Sequence, residues 1–213
     1  MAIYAIAHNK GGVGKTTTAY NLAFALAVPL VFDQDIHKGI SVLARLRGAE
    51  PLPFELASYD NTRDLLAALK AAHEAGKDVL VDCGGFDSDI TRTVLAVADV
   101  IIVPAADTPT ERIGLAIFDQ TLTEVSEKIG RELNTHLLLC KTHHSKKHFP
   151  KIDAILERSR HMKRLNAVIA NRPDHYNSHE YGRGVTESLT TRHTEAGKEI
   201  AALAEELRAL TAA

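Results

Sequence analysis

The sequence has 213 residues, of which 45% are hydrophobic and 24% are charged, a composition typical of a globular protein. Its 25 Lys and Arg against 27 Asp and Glu give a net charge of −2, so an anionic partner would need a local basic patch. Cys83 and Cys140 are too few for a disulfide framework or a four-cysteine metal site. Because no apolar run reaches about 18 residues and Lys10 interrupts the apolar start, we expect neither a membrane span nor a signal peptide. We therefore expect a cytoplasmic protein.

Apolar segments alternate with helical patterns along the chain. The nearly continuous apolar segments predict buried strands over 3–7, 29–32, 79–81, 100–103, 137–140 and 167–170. The periodic segments predict helices over 16–27, 62–75, 88–96, 110–129 and 147–158, with a closing helix over 194–210. This alternation predicts an α/β fold with a mostly parallel central sheet flanked by helices. No repeat or long linker divides the chain, so we expect one domain over residues 1–213.

A glycine-rich loop follows the first predicted strand and opens the first predicted helix. Its sequence, from His8 to Thr18, is HNKGGVGKTTT. Glycines allow backbone N–H groups to approach phosphate oxygens, and the helix N-terminus attracts negative charge. In such a loop Lys15 contacts the β- and γ-phosphates and Thr16 ligates Mg²⁺. The usual phosphate-loop pattern fails at one position, because Asn9 stands where the first glycine is expected.

The loop resembles the deviant Walker A box of the ParA/MinD family of dimeric ATPases, which often has Asn or Gln at the position of Asn9. The resemblance implies a P-loop NTPase fold, ATP and Mg²⁺ as cofactors, and ATP hydrolysis. It also implies that Lys10, the family's signature lysine, crosses a homodimer interface to the partner's nucleotide, so that Lys10 and Lys15 are both catalytic. The nucleotide-binding residues expected on this basis are Lys10, Gly11, Gly12, Val13, Gly14, Lys15, Thr16 and Thr17.

Two acidic segments are similar to the family's other boxes. In Val31–Asp35 the resemblance gives Asp35 the role of orienting the attacking water and contacting the metal, with Asp33 in support. In the segment 78–85, Asp82 ends an apolar strand and resembles a Walker B residue, which holds Mg²⁺ through water together with Thr16. Gly84 and Gly85 replace the prolines that usually follow.

The resemblance extends over nearly the whole chain and is greatest to the short plasmid-partition ParA proteins, the ParF-like members. It includes segment 98–104, residues 169–172, Gly182, Val185 and Glu187. As the loop begins at residue 9, we expect no N-terminal DNA-reading domain. The function implied is plasmid segregation: an ATP-bound dimer binds duplex DNA non-specifically in the nucleoid, and hydrolysis, stimulated by a small centromere-binding adaptor, releases it.

Residues 141–164, the basic segment, offer a place for DNA. The segment has eight Lys and Arg and two Asp and Glu, whereas the whole chain is slightly acidic. A local basic face suits binding to the phosphate backbone, and a solvated helix surface is the alternative explanation. The candidate DNA-binding residues are Lys146, Lys147, Lys151, Arg158, Arg160, Lys163 and Arg164.

Three other functions remain open. ParA-like ATPases also serve conjugative transfer and cargo positioning. A MinD-like membrane regulator would need a basic, apolar amphipathic tail, whereas the tail here has Glu199, Glu205 and Glu206, so we expect no membrane binding. A metabolic ATP-dependent synthase can share the fold, since fold does not fix function.

Overall fold

The structure is a computed structural model that describes residues 1–212. Its strands are β1 (Ile3–Ile6), β2 (Leu30–Gln34), β3 (Glu55–Ala57), β4 (Val79–Cys83), β5 (Val100–Ala105), β6 (Thr135–Thr142) and β7 (Met162–Ala170). Its helices are α1 (Lys15–Leu26), α2 (Gly39–Leu46), α3 (Thr62–Glu74), α4 (Asp89–Val97), α5 (Pro109–Ile129), α6 (Pro150–Leu156), α7 (Pro173–His179) and α8 (Glu195–Ala212). No helix within residues 1–212 is both long and apolar enough to cross a bilayer.

The seven strands form one sheet in the order β3-β2-β4-β1-β5-β6-β7. Every pairing between neighbours is parallel, which confirms the predicted α/β class. The chain runs outward from β1 in both directions, so the loops after β1, β2 and β4 meet at the carboxyl edge of the sheet. Ligands of open α/β sheets bind at such a switch point.

Helices cover both faces of the sheet, and each face has its own apolar core. Along β1, Ile3 and Ala5 pack with α3 to α6, whereas Tyr4 and Ile6 pack with α1, α2 and α8. This alternation follows from the two-residue period of a strand. Because both faces are buried, the central strands are almost entirely apolar in sequence.

Side-chain caps fix several helix starts. The side chains of Asn61, Ser88 and Thr108 accept hydrogen bonds from backbone N–H groups three residues ahead, at the N-termini of α3, α4 and α5. Such caps satisfy donors that have no partner within the helix.

The structure corrects several predicted elements. The sequence analysis missed β3, α2 and α7, and it began the helix over 147–158 too early, because α6 starts at Pro150. Proline is suited to the first position of a helix, and it disfavours helical backbone in the preceding residue. The last strand begins at residue 162 rather than 167. Its first half is polar because β7 is an edge strand whose Lys163 and Arg164 are exposed.

Carboxylates of α8 cover part of the exposed edge of β7. Glu206 accepts hydrogen bonds from the backbone N–H groups of Asn166 and Ala167, both at 2.8 Å. Glu199 accepts one from Ala170 N–H at 3.0 Å. An uncovered strand edge invites pairing with another chain, so these acidic side chains protect the fold.

Candidate nucleotide-binding site

The glycine-rich loop joins β1 to α1 and leaves the start of the helix free for an anion. Gly12 and Gly14 adopt left-handed backbone angles, with φ of +77° and +106°, which glycine reaches without strain. Gly14 is the N-cap of α1 and supplies no side-chain hydrogen bond to it. The first N–H groups of the helix are therefore available to phosphate oxygens.

Lys15 folds back over this loop. Its Nζ donates to the carbonyl of Lys10 at 2.9 Å, and burial lowers the pKa of its ammonium, while Asp82 and Asp35 act in the opposite direction. A buried cation beside unpaired N–H groups attracts the negative charge of a phosphate chain.

Thr16 and Asp82 form a site that fits Mg²⁺. Thr16 Oγ1 donates to Asp82 Oδ2 at 2.8 Å, and the other oxygen, Oδ1, is buried without a partner. Burial raises the pKa of Asp82 to about 8, with Asp33 adding to the effect and Thr16 opposing it. A hydroxyl and a carboxylate are ligands that Mg²⁺ accepts directly or through water, and the unpaired oxygen is what such an ion would satisfy.

The two aspartates of the second box have different environments. Asp33 is buried next to Asp82 in the strand register, and its Oδ2 accepts from Ser41 N–H and Ser41 Oγ, each at 2.9 Å. Asp35 is half-buried and accepts from His37 N–H at 2.8 Å. Asp33 therefore holds the start of α2, while Asp35 keeps an accessible carboxylate.

One cavity of about 400 Å³ is lined by Lys15, Thr16 and Asp35, together with Phe86 and Lys141. Gly85 forms part of its wall. A Cβ at that position would stand 3.1 Å from the backbone of Gly11 and 3.2 Å from Lys15 Nζ. Gly85 is therefore needed for close approach of the β4–α4 loop to the phosphate loop.

The side chain of Lys10 points away from this cavity. Its Nζ makes an ion pair with Glu111 of α5 and contacts Thr110 Oγ1 at 3.3 Å. Glu111 is buried, and its Oε2 has no partner. The Thr108 side chain caps α5 by accepting from Glu111 N–H at 3.3 Å. The sequence analysis gave no signal that the side chain of Glu111 would reach a lysine 101 positions away.

His8 and Gly114 complete the environment of Lys10. The His8 ring stacks on Phe118 at 5.4 Å between centroids, and its Nδ1 accepts from Lys10 N–H at 3.0 Å. A Cβ at Gly114 would lie 3.1 Å from His8 and 3.4 Å from the stem of Lys10. The Lys10 side chain therefore packs against His8, Gly114 and Glu111 of its own chain.

Comparison with known proteins gives this geometry a context. A family profile described as an AAA domain matches residues 1–38. "Maintenance of carboxysome distribution protein A" of Gloeobacter kilaueensis is 37% identical over 123 residues, 56% of this chain and 55% of that protein. "Protein ParA" of Rhizobium radiobacter is 27% identical over 137 residues, 62% of this chain and 61% of that protein. The chain thus spans little more than half the length of these relatives.

Solved structures match over almost the full chain. MinD cell division protein of Aquifex aeolicus superposes with a TM-score of 0.74 at 16% identity, covering 98% of both chains. The fold is that of the ParA/MinD ATPases. Septum site-determining protein MinD of Pyrococcus horikoshii, solved with Mg-ADP, has a TM-score of 0.68 at 18% identity and covers 99% of this chain and 97% of that one.

A second cavity of the ParA/MinD fold lies beside the phosphate loop. It measures about 90 Å³ and shares Gly14, Thr17 and Lys141 with the first cavity. The residues that line only the second cavity include Cys140, Ile169, Asn171, His175 and Tyr176. Both ring nitrogens of His175 are buried without a partner, and burial lowers the pKa of its imidazole. A small, largely apolar space with a neutral imidazole suits a flat aromatic group.

The basic segment divides into paired and free cations. Lys146 Nζ contacts Asp107 Oδ2 at 2.6 Å, and Arg164 Nε contacts Asp153 Oδ1 at 3.0 Å. The other candidates are exposed and make no ion pair within residues 1–212; they are Lys147, Lys151, Arg158, Arg160 and Lys163. Lys147 precedes α6, Lys151 lies on it, Arg158 and Arg160 follow it, and Lys163 lies on β7. These five cations therefore do not share one helix face.

Proposed function

We propose that the chain is an ATPase of the ParA type that segregates plasmid DNA. The observation that carries the proposal is the cavity that brings together Lys15, Thr16 and Asp35 beside the buried Asp82. A cation, a hydroxyl and two carboxylates around a phosphate loop are the groups that phosphoryl transfer to water requires.

Each group has a role that follows from its position. The N–H groups of the loop and Lys15 bind the phosphate chain, while Thr16 and Asp82 hold Mg²⁺, which when bound neutralises charge on the β- and γ-phosphate oxygens. Asp35 faces the cavity with an accessible carboxylate and orients the attacking water. Lys10 acts after leaving Glu111, as a cation supplied to the partner in an ATP-bound homodimer.

Binding to DNA is proposed for the five free cations of the basic segment. They are exposed, and together they give a locally positive surface on a chain of net charge −2. Contacts of this kind neutralise phosphates without reading bases, so they suit non-specific binding to duplex DNA in the nucleoid of the cytoplasm. In this proposal, a centromere-binding adaptor stimulates hydrolysis, which releases the DNA.

A second candidate is positioning of a protein cargo by the same DNA-dependent cycle. It is supported by the 37% identity to a carboxysome distribution protein. Plasmid segregation and cargo positioning share the ATPase and the DNA surface and differ in the adaptor. A membrane regulator is supported less, because Glu199 and Glu206 of α8 are engaged with β7 rather than presenting a basic face to lipid.

The test is steady-state ATP hydrolysis with and without sonicated duplex DNA. We expect weak activity that rises with DNA, a rise that fades with added salt, and loss of activity in Lys10→Ala and Lys15→Ala. Lys77→Ala is the matched control, because Lys77 is exposed just before β4, at the opposite edge of the sheet. A rate of ATP hydrolysis that does not change with DNA and that persists in Lys10→Ala would instead indicate a metabolic synthase.

A further inference from the structure

Asp107 joins the basic segment to the start of α5. It lies in the loop between β5 and α5, and its side chain is 9% exposed. Its two carboxylate oxygens have different partners: Oδ1 accepts from Arg112 at 2.8 Å, and Oδ2 accepts from Lys146 at 2.6 Å. Arg112 belongs to α5, whereas Lys146 is 39 positions away from Asp107 along the chain. The contact with Lys146 therefore ties two separate loops together.

Lys146 lies in the loop between β6 and α6, over residues 143–149, which has no helix or strand. Its side chain is 43% exposed, and its Nζ lies 5.4 Å from the centre of the Phe149 ring. The next residue, Lys147, is exposed and makes no ion pair in the described part of the chain. Two adjacent lysines at the surface thus differ in one respect, because a carboxylate of another element holds the first and leaves the second free.

Arg112 strengthens the hold of Asp107 on Lys146. It fixes the carboxylate from the other side, so the oxygen that faces Lys146 stays in place. Salt also screens a partly buried charge less than a fully exposed one. The Asp153–Arg164 pair of the same basic segment is more open, with side chains 44% and 32% exposed, and such pairs are weak. Of the two paired cations, Lys146 is therefore held more firmly.

We propose that Asp107 is an intramolecular competitor of DNA, which holds Lys146 out of the DNA-binding surface in the protein without nucleotide. The carboxylate occupies the ammonium that would otherwise contact a phosphate, and its own negative charge repels the DNA backbone. Lys146 is thus a sixth cation beside the five free ones of the basic segment. This inference rests on the proposed function in one respect, namely that the basic segment binds duplex DNA.

Replacing one partner at a time tests this hold on Lys146. Asp107→Asn keeps the shape of the side chain and removes its charge. Asp60→Asn is the matched control for lost charge, because Asp60 is exposed just after β3, at the opposite edge of the sheet from β7. Lys146→Ala is compared with Lys147→Ala. Affinity for a short fluorescent DNA duplex is measured by anisotropy over a series of salt concentrations, without nucleotide and with Mg-ATP, and thermal unfolding checks folding.

Without nucleotide, we expect Asp107→Asn to bind DNA up to about eightfold more tightly at about 0.1 M salt. The slope of log affinity against log salt should steepen by about 0.9, the value for one added phosphate contact. Lys147→Ala should reduce the slope by a similar amount, whereas Lys146→Ala should leave it unchanged, since Asp107 already keeps that ammonium from DNA. In the double variant Asp107→Asn/Lys146→Ala, the slope should return to the wild-type value.

Three results would overturn the role of Asp107: no gain in affinity in Asp107→Asn, an equal gain in Asp60→Asn, or a gain that survives Lys146→Ala. Equal reductions of the slope in Lys146→Ala and Lys147→Ala would also overturn it, and this comparison does not depend on the folding of Asp107→Asn. A wild-type protein that binds no DNA, with or without Mg-ATP, would overturn the DNA-binding part of the proposed function itself.

Discussion

At the scale of single residues, two carboxylates that are neighbours in the sheet differ because of their partners. Asp33 and Asp82 are opposite each other in the register of β2 and β4, and both are buried. Each keeps its Oδ1 buried without a partner, but the Oδ2 of Asp33 receives two hydrogen bonds from Ser41, whereas that of Asp82 receives one from Thr16. Burial with fewer partners costs stability, and Thr16 places Asp82 beside the phosphate loop, so Asp82 is the better placed of the two for binding.

Asp82→Asn should separate the two effects. The amide keeps a hydrogen-bond acceptor for Thr16 and removes a buried ionisable group, so we expect no loss in the free energy of unfolding without nucleotide. We expect hydrolysis to fall about 10- to 100-fold, the usual cost of losing a group that supports a metal. Urea unfolding and Mg²⁺-dependent ATP hydrolysis measure the two quantities. Asp33→Asn is the control and should lose stability, since it weakens the bonds from Ser41.

Much of the site was predictable at this scale, and the exceptions are informative. The position of the loop and of the strand ends in the sequence sufficed to place Lys15, Thr16 and Asp35 around one cavity. The reason is that the carboxyl ends of parallel strands all lie at the same edge of the sheet. The engagement of Lys10 with Glu111 was not predictable. It depends on where α5 begins relative to the loop, and this tertiary distance leaves no local pattern.

At the scale of elements, the N-terminus of α5 governs how readily Lys10 can leave its own chain. Glu111→Gln removes the ion pair and keeps the shape of the side chain. A partly exposed pair contributes up to about 1 kcal/mol and two such pairs break per dimer, so we expect the ATP-dependent dimer to form at up to about 30-fold lower protein concentration. Analytical ultracentrifugation with ATP measures this shift.

The control for that experiment is Asp153→Asn, which removes the exposed ion pair to Arg164 on α6. It should leave dimerisation unchanged. A Glu111→Gln protein that dimerises like the wild type would show that the contact with Lys10 does not restrain assembly.

The edge of β7 provides a second test at this scale. Glu206→Ala leaves the N–H groups of Asn166 and Ala167 without the carboxylate that accepts from them. We expect the free energy of unfolding to fall by about 1–3 kcal/mol and aggregation to rise, since an open strand edge can pair with another chain. Urea unfolding and light scattering measure these changes. Glu205→Ala, at the exposed neighbouring position, should change neither.

The elements that the sequence did not reveal share a physical cause. β3 has three residues at the edge of the sheet, and α7 has seven residues beginning at a proline. Such short segments have too few residues to show a period. α2 begins after Lys38 in a left-handed conformation without a side-chain cap, so the usual start signal is missing. Tertiary contacts rather than local preference define these three.

At the scale of the whole molecule, charge is unevenly distributed, and this predicts a graded response to salt. Replacing Lys151 and Arg158 by alanine removes two free cations, and we expect the slope of log affinity for duplex DNA against log salt to fall by about 0.9 for each lost phosphate contact. Fluorescence anisotropy at several salt concentrations measures it. Arg164→Ala, which removes a paired cation, is the control. An unchanged slope in the double variant would remove the DNA role from this surface.

The pH dependence of stability also belongs to the whole molecule, because opposing groups contribute to it. Burial lowers the pKa of four histidines, to about 4 for His8 and His179, and also for His136 and His175. Their contribution to stability is present above about pH 6.5 and is lost as pH falls toward 4. Asp82 has the opposite sign: its raised pKa gives a contribution that is present at low pH and is lost as pH rises through about 8.

Below about pH 6.5, the four histidines together change the free energy of unfolding more than Asp82 does. Between about pH 6.5 and 8, only Asp82 among these five groups changes it. We therefore expect the free energy of unfolding, measured in urea without nucleotide or Mg²⁺, to reach a maximum near pH 6.5. Asp82→Asn should remove the decline above that pH and steepen the rise on the acid side, where Asp82 opposes the histidines. Because the net charge is only −2, general repulsion is small near neutrality and should not mask these contributions. If the free energy of unfolding of Asp82→Asn declined equally above pH 6.5, the decline would be due to another group.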